Sequence, residues 1–284
     1  MRRVFKGQSG AAGRMVRYYR RSPRYLSGEW GGTCHFGYTP PGWKFNLESA
    51  LVAMEQQLAQ TLALPPNSLV LDAGCGYGRV ASTLAGDPFR LNVIGVDLIP
   101  ERLVEARRYI EDRGLLRRVQ LLNTTYCSLP IGDNTLSAVF TMEALVHADP
   151  LEAALGQFWR VLKPGGRLVL FEYSVPPRDS AGPWHQRIAD SIALRTGMAS
   201  IERFTHDGFP ALLKAANFEN VKVRDISRNV WPTWRWMFWL AIRKYWPGIL
   251  CGGFIWRPNL AGALLIWPNR RHLGYKIVTA TKPS

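Results

Sequence analysis

Leu69-Val70-Leu71-Asp72-Ala73-Gly74-Cys75-Gly76-Tyr77-Gly78 decides how this chain of 284 residues is read. A short apolar, β-forming run ends in an acidic residue and then in three glycines at alternate positions. Glycine adopts backbone conformations closed to other residues, so this spacing lets a strand turn sharply into a helix while the backbone approaches a ligand. A second, mostly apolar run, Leu91 to Val96, ends in Asp97, 19 residues beyond Gly78. An acidic residue at the tip of a second strand, about 20 residues past the glycines, can hold the two hydroxyls of a ribose. The spacing then selects the nucleotide. In the dinucleotide pattern G-x-G-x-x-G the third glycine, counted from Gly74, would fall on Arg79; here it falls one residue early, on Gly78. A nicotinamide-dependent oxidoreductase is disfavoured on that ground.

Outward from this turn the chain alternates strand and helix. Asn46 or Glu48 opens an amphipathic helix to about Leu64, with Leu51, Met54, Leu58 and Leu62 on one face, and Pro65-Pro66 ends it. Helices are predicted at Tyr77–Ala85, Pro100–Arg113, Leu151–Leu162 and Asp207–Ala216. Strands are predicted at Ser68–Asp72, Asn92–Asp97, Val119–Leu122, Leu136–Thr141, Arg167–Glu172, Val221–Ile226 and Gly274–Thr281. Alternation at this spacing means right-handed βαβ units and a mostly parallel sheet with helices on both faces. The β-branched end of the last run suits an edge or antiparallel strand. Lys163-Pro164-Gly165-Gly166 reads as a tight turn ahead of the fifth strand, and residues 174–200 as a polar, proline-bearing break. Residues 227–272 hold seven of the 11 tryptophans, too many residues for a structureless loop, and read as a helical, aromatic-rich cap. The organisation expected is a basic segment and loop at 1–45, an α/β core at 46–226, the cap, and a final core strand at 273–284.

Composition adds a partner. Hydrophobic residues make up 47% and charged residues 20%, enough for a packed core. Four scattered cysteines form no disulfide or zinc pattern, which fits a reducing, cytoplasmic setting and no metal. The net charge of +15 is confined to the ends: residues 1–28 hold eight basic residues, residues 226–284 hold nine, and neither stretch has an acidic one. Both ends are also aromatic and aliphatic, a combination that fits peripheral contact with an anionic membrane better than nucleic acid. No run reaches the ~18 apolar residues of a spanning helix. The arginine-rich, acid-free start is also compatible with mitochondrial import. Oligomeric state is not legible.

The early third glycine and Asp72, two residues before Gly74, resemble motif I of the S-adenosylmethionine (SAM)-dependent methyltransferases. Three further segments resemble the sterol 24-C-methyltransferases and the related tocopherol-type C-methyltransferases: Trp30-Gly31-Gly32-Thr33-Cys34-His35-Phe36, Met142-Glu143-Ala144-Leu145-Val146-His147-Ala148, and Arg160-Val161-Leu162-Lys163-Pro164-Gly165-Gly166. The resemblance covers about residues 25–175 and implies a Rossmann-like class I methyltransferase fold with a seven-stranded sheet. It implies SAM as cofactor, with S-adenosylhomocysteine as product, held by Asp72, Gly74, Cys75, Gly76, Gly78, Asp97, Leu98, Thr125, Tyr126 and Glu143. Thr125 stands where the family commonly has an acidic residue, and Leu136-Ser137 replaces its F-D pair.

The acceptor implied is a lipophilic sterol, terpenoid or prenylated molecule, methylated at carbon. Methylating an alkene leaves a carbocation, which needs aromatic faces and a base. Trp30, Tyr19 and Tyr173 are the candidate faces. Glu143 and His147 are the candidate bases, with His35 and Glu172 as further polar candidates. For His147 a capping role, for His35 a loop hydrogen bond, and for Glu172 pairing with a basic neighbour are the structural alternatives. Methylation at oxygen or nitrogen, and SAM binding without turnover at a membrane surface, are the competing functions.

Overall fold

The computed structural model describes residues 10–21, 33, 35–180, 182–250 and 258–284. Its centre is a seven-stranded sheet of β1 (Leu69–Ala73), β2 (Asn92–Asp97), β3 (Val119–Asn123), β4 (Leu136–Met142), β5 (Leu162–Ser174), β6 (Glu219–Asp225) and β7 (Gly274–Thr281). The spatial order is β3-β2-β1-β4-β5-β7-β6. β7 runs antiparallel between β5 and β6, and the pairings among β1 to β5 are parallel. The last strand is therefore antiparallel but interior, and β6 is the edge. Strand order reverses between β1 and β4, and the carboxyl ends of strands at such a switch point form a crevice.

Side chains alternate across the sheet, so each strand feeds two cores. Val70, Phe140, Val169, Phe171, Tyr275 and Ile277 face one. There they meet α2 (Leu47–Leu62), α3 (Arg79–Ala85), α4 (Pro100–Glu111) and the start of α8 (Ser227–Leu250) through Leu51, Leu84, Ile110 and Trp234. Leu71, Val139, Leu168, Leu170 and Val278 face the other, packed by α5 (Leu151–Val161) and α7 (Phe209–Ala215) through Phe158 and Leu213. Each such Leu or Phe contributes about 1.5–3 kcal/mol relative to exposure. α2 starts where Asn46 accepts a hydrogen bond from the Ser49 amide (2.9 Å) and stops at left-handed Ala63, just ahead of Pro65.

Three elements differ from the sequence expectation. The basic start contains a helix, α1 (Ala11–Arg21), with Met15, Val16, Tyr18 and Tyr19 on one side and Arg14, Arg17, Arg20 and Arg21 on the other, an amphipathic pattern that reading the segment by its charge alone passes over. The stretch read as a polar break contains α6 (Pro183–Thr196), opened by its own proline and closed by left-handed Gly197. The Lys163–Gly166 turn belongs to β5 itself: the Gly165 amide donates to Lys282 O (3.0 Å) and the Lys282 amide to Gly166 O (2.9 Å), tying it to the end of β7. The cap contains α8 and α9 (Pro258–Ile266), and Trp256 lies outside the described residues.

Candidate functional site

The glycine turn leaves β1 at the switch point. Gly74 and Gly78 have φ of +97° and +77°, left-handed values that favour glycine. A Cβ on Gly74 would lie 2.5 Å from that of Ala144, and one on Gly78 3.1 Å from that of Ala106. Gly74 and Cys75 amides both donate to Val96 O (2.9 and 3.0 Å), which pins the turn to β2. Asp97, at the tip of β2, accepts from the Gly76 amide (3.0 Å) and the Ile99 amide (2.8 Å). Each carboxylate oxygen keeps a further acceptor site. Burial raises the Asp97 pKa against the pull of Arg102 and these amides.

Asp72 is 3% exposed, and its Oδ2 is buried with no hydrogen-bond partner among the described residues. Burial, and next the charge of Asp97, push its pKa up to about 8. An orphaned buried carboxylate oxygen on the wall of a cleft is a place for a cationic group. Together with the glycine turn and Asp97 it fits a nucleoside carrying an ammonium. A ligand ammonium favours ionised Asp72, whereas the ligand-free carboxyl is mostly protonated at pH 7. Binding of SAM there should therefore release a proton from Asp72, read as a buffer-dependent heat in calorimetry. Asp72→Asn should abolish that dependence; its persistence would show that the proton comes from elsewhere.

Leu98, Cys75, Thr125 and Tyr126 line the same cleft. The Cys75 thiol is pushed up by burial, so it is a neutral wall group. Thr125 Oγ1 accepts from the Cys127 amide (3.1 Å), and the Tyr126 hydroxyl donates to Ala144 O (2.8 Å).

Glu143 follows β4 with φ +56°, strained for a residue with a side chain and held by the hydrogen bond its amide donates to Phe171 O (2.8 Å). Its Oε1 accepts from the Phe36 amide (2.6 Å) and the Tyr275 hydroxyl (2.8 Å), and its Oε2 from the Tyr173 hydroxyl. Tyr173 and Tyr275 are opposite in the β5–β7 ladder, with rings 5.9 Å apart. Phe36 stands edge-on to Tyr173, Trp234 and Tyr275 at 5.8, 5.9 and 6.1 Å. The carboxylate is thus ringed by aromatic groups, and burial raises its pKa against its three hydrogen bonds. Among the described residues Glu172 has no basic partner. Its Oε1 accepts from Thr141 Oγ1 (3.0 Å) and the Ala144 and Leu145 amides (3.1 and 2.8 Å), bracing the turn that carries Glu143. Burial is the main cause that pushes Glu172 up to about 8.

His147 lies in a 3-10 turn, Leu145–His147, and is buried. Its Nδ1 is 3.0 Å from Gly197 O and its Nε2 2.9 Å from the Tyr19 hydroxyl. Burial lowers its pKa to about 4, so the ring is neutral, donating to the carbonyl and accepting from Tyr19. Tyr19, on α1, carries the Arg102 guanidinium 4.0 Å above its ring and closes this end of the cleft with Ala12 and Met15. His35 sits with Nδ1 2.9 Å from Phe36 O and Nε2 3.4 Å from Glu55. Glu55 also binds Arg79 (2.6 Å) and Thr83 (2.6 Å); burial would raise its pKa, but His35 and Arg79 bring it down to about 2. This network bolts His35 and Phe36 to the residue following Gly78. Trp30 lies outside the described residues.

The sequence reading did not single out Tyr275, Glu55, Arg79 or Arg102 as site residues. For Arg79 a signal existed, its place one residue after the third glycine. Nothing local marks Tyr275, which reaches Glu143 across 132 residues.

A family model described as "Methyltransferase domain" matches residues 71–170. The S-adenosyl-L-methionine-dependent Diels-Alderase iccD of Talaromyces variabilis is 37% identical over 249 residues, 84% of each chain. The sterol 24-C-methyltransferase erg6 of Aspergillus fumigatus is 30% identical over 211 residues, 74% of this chain and 55% of that one. The chain thus spans about half the length of that relative. Among solved structures, the [4+2]-cyclase SpnF superposes with a TM-score of 0.76 at 25% identity, covering 96% of this chain and 95% of that one.

Proposed function

Because this chain belongs to the SAM-dependent methyltransferase family, we propose that it methylates a carbon of a lipophilic, unsaturated small molecule. The carrying observation is the buried Glu143 carboxylate, on the cleft wall and ringed by Phe36, Tyr173 and Tyr275. When bound, SAM supplies an electrophilic methyl group on a sulfonium. The glycine turn, Asp72 and Asp97 hold and orient it; the buried walls exclude water. Aromatic faces and a carboxylate stabilise positive charge developing on an acceptor carbon. In this reading Glu143, directly or through the Tyr173 hydroxyl, accepts the proton lost from a carbon next to the cationic one, whose C–H electron pair forms the new double bond. The relative that acts on a sterol supports a lipophilic acceptor.

A second reading rests on the 37% identical Diels-Alderase, which matches this chain over nearly its whole length. In that reading the same cleft folds a polyene for ring closure while SAM stays intact. His147 and Glu143, whose side-chain polar atoms are all engaged by neighbours, suit a shaped wall as well as a base. Incubation with methyl-labelled SAM and terpenoid, sterol and polyene acceptors separates the two. Label on a product carbon supports C-methylation, and label on oxygen or nitrogen sinks it. An unlabelled isomer of the acceptor, formed only with SAM present, establishes ring closure.

A further inference from the structure

We infer that the outer face of α8 docks the protein onto the surface of an anionic lipid bilayer. α8 has two opposite faces. Val230, Trp234, Met237 and Ala241, spaced by four, three and four residues, turn inward to the first core and to α9. Arg228, Arg235, Trp239 and Arg243, spaced by seven, four and four, share the opposite face and are exposed, with Lys244 beside them. Trp239 is 59% exposed, an unusual place for the side chain with the largest apolar area.

The charge is one-signed. Residues 226–284 contain no acidic residue at all, so no carboxylate of α8, α9 or their connection competes for these cations. Arg270 adds to the cap, its guanidinium 4.0 Å above the Trp267 ring and 5.7 Å above that of Trp231. Arginine interleaved with tryptophan matches the headgroup region, where the indole sits at the acyl boundary and the cation meets lipid phosphate. Among the described residues no helix is long and apolar enough to cross a membrane, so the chemistry fits lying on the surface.

α8 packs on α9, α9 on α6, and α6 on α1, whose Ala12, Met15 and Tyr19 line the cleft. A chain of packed helices therefore connects α8 to the helix that closes one end of the cleft. Docking is a binding property and stands or falls apart from the reaction proposed above.

The test is flotation with vesicles of phosphatidylcholine, with and without a phosphatidylserine fraction. The full chain should float with the anionic vesicles at low salt and be released as salt is raised. The double variant Arg235→Glu, Arg243→Glu should lose at least tenfold in partitioning, and Trp239→Ala several-fold, both keeping SAM binding by calorimetry. The same charge reversal on α4, Arg107→Glu with Arg108→Glu, should leave flotation unchanged. Equal recovery on neutral and anionic vesicles, or equal loss from the α4 control, would overturn the assignment. So would tighter binding to a duplex DNA fragment than to the anionic vesicles, which would move the face to nucleic acid.

Discussion

Asp97→Ala is expected to weaken SAM binding about 10²–10³-fold, the largest cofactor effect of any single change in the cleft. Two losses add. A carboxylate hydrogen-bonded to ribose hydroxyls is worth about 1.5–3 kcal/mol. Alanine also strands the Gly76 and Ile99 amides that Asp97 now accepts, and an unsatisfied buried donor costs about 1–3 kcal/mol. Because Gly76 lies within the turn, the second loss falls on the same loop that cradles the ligand. Asp97→Asn keeps one acceptor oxygen and should fall between the two, about tenfold weaker than the native chain. Titration calorimetry decides it. Near-native affinity in Asp97→Ala would remove the nucleoside from this end of the sheet.

What made Asp97 legible in the sequence is that its requirements are local. A strand tip, a fixed distance from three glycines and a left-handed turn are all written into about 30 consecutive residues. The α/β alternation was readable for the same reason, whereas the β-branched end of β7 left an edge and an antiparallel strand open, and the strand is antiparallel but interior. The partners of Glu143 were not. Tyr173 was singled out as an aromatic face, but its role as a donor depends on β7 lying against β5 in the register that sets Tyr275 opposite Tyr173. A one-residue slip of β7 would turn Tyr275 to the other face and take it away from Glu143. α1 was legible but unread: its apolar residues and its arginines separate onto opposite faces at helical spacing, while only Ala11 and Val16 among the apolar ones are fully buried. Its closure over the cleft rests on the tertiary contact of Tyr19 with His147, 128 residues away.

Glu143→Gln is expected to lower turnover about 10²–10³-fold, the range of a positioned proton acceptor, while SAM affinity stays within about threefold. Glutamine keeps the length of the side chain and an oxygen for the Phe36 amide. Its amide nitrogen must then face a tyrosine hydroxyl that now donates, and that hydroxyl has to turn round to accept. The larger loss is the charge, which no longer offsets positive charge on an acceptor carbon. The pH profile sharpens the claim. Burial holds the Glu143 carboxyl above the ordinary carboxylate range, so native turnover should rise with pH through that raised value, as the carboxylate form appears. In Glu143→Gln this acid limb should vanish, leaving low and flat activity across it. Equal loss of turnover and SAM affinity would make Glu143 a cofactor ligand. With SAM saturating, so that protonation of Asp72 does not limit its binding, a ring closure that moves no proton would show no acid limb in the native chain, and one pH series then separates the base from the wall.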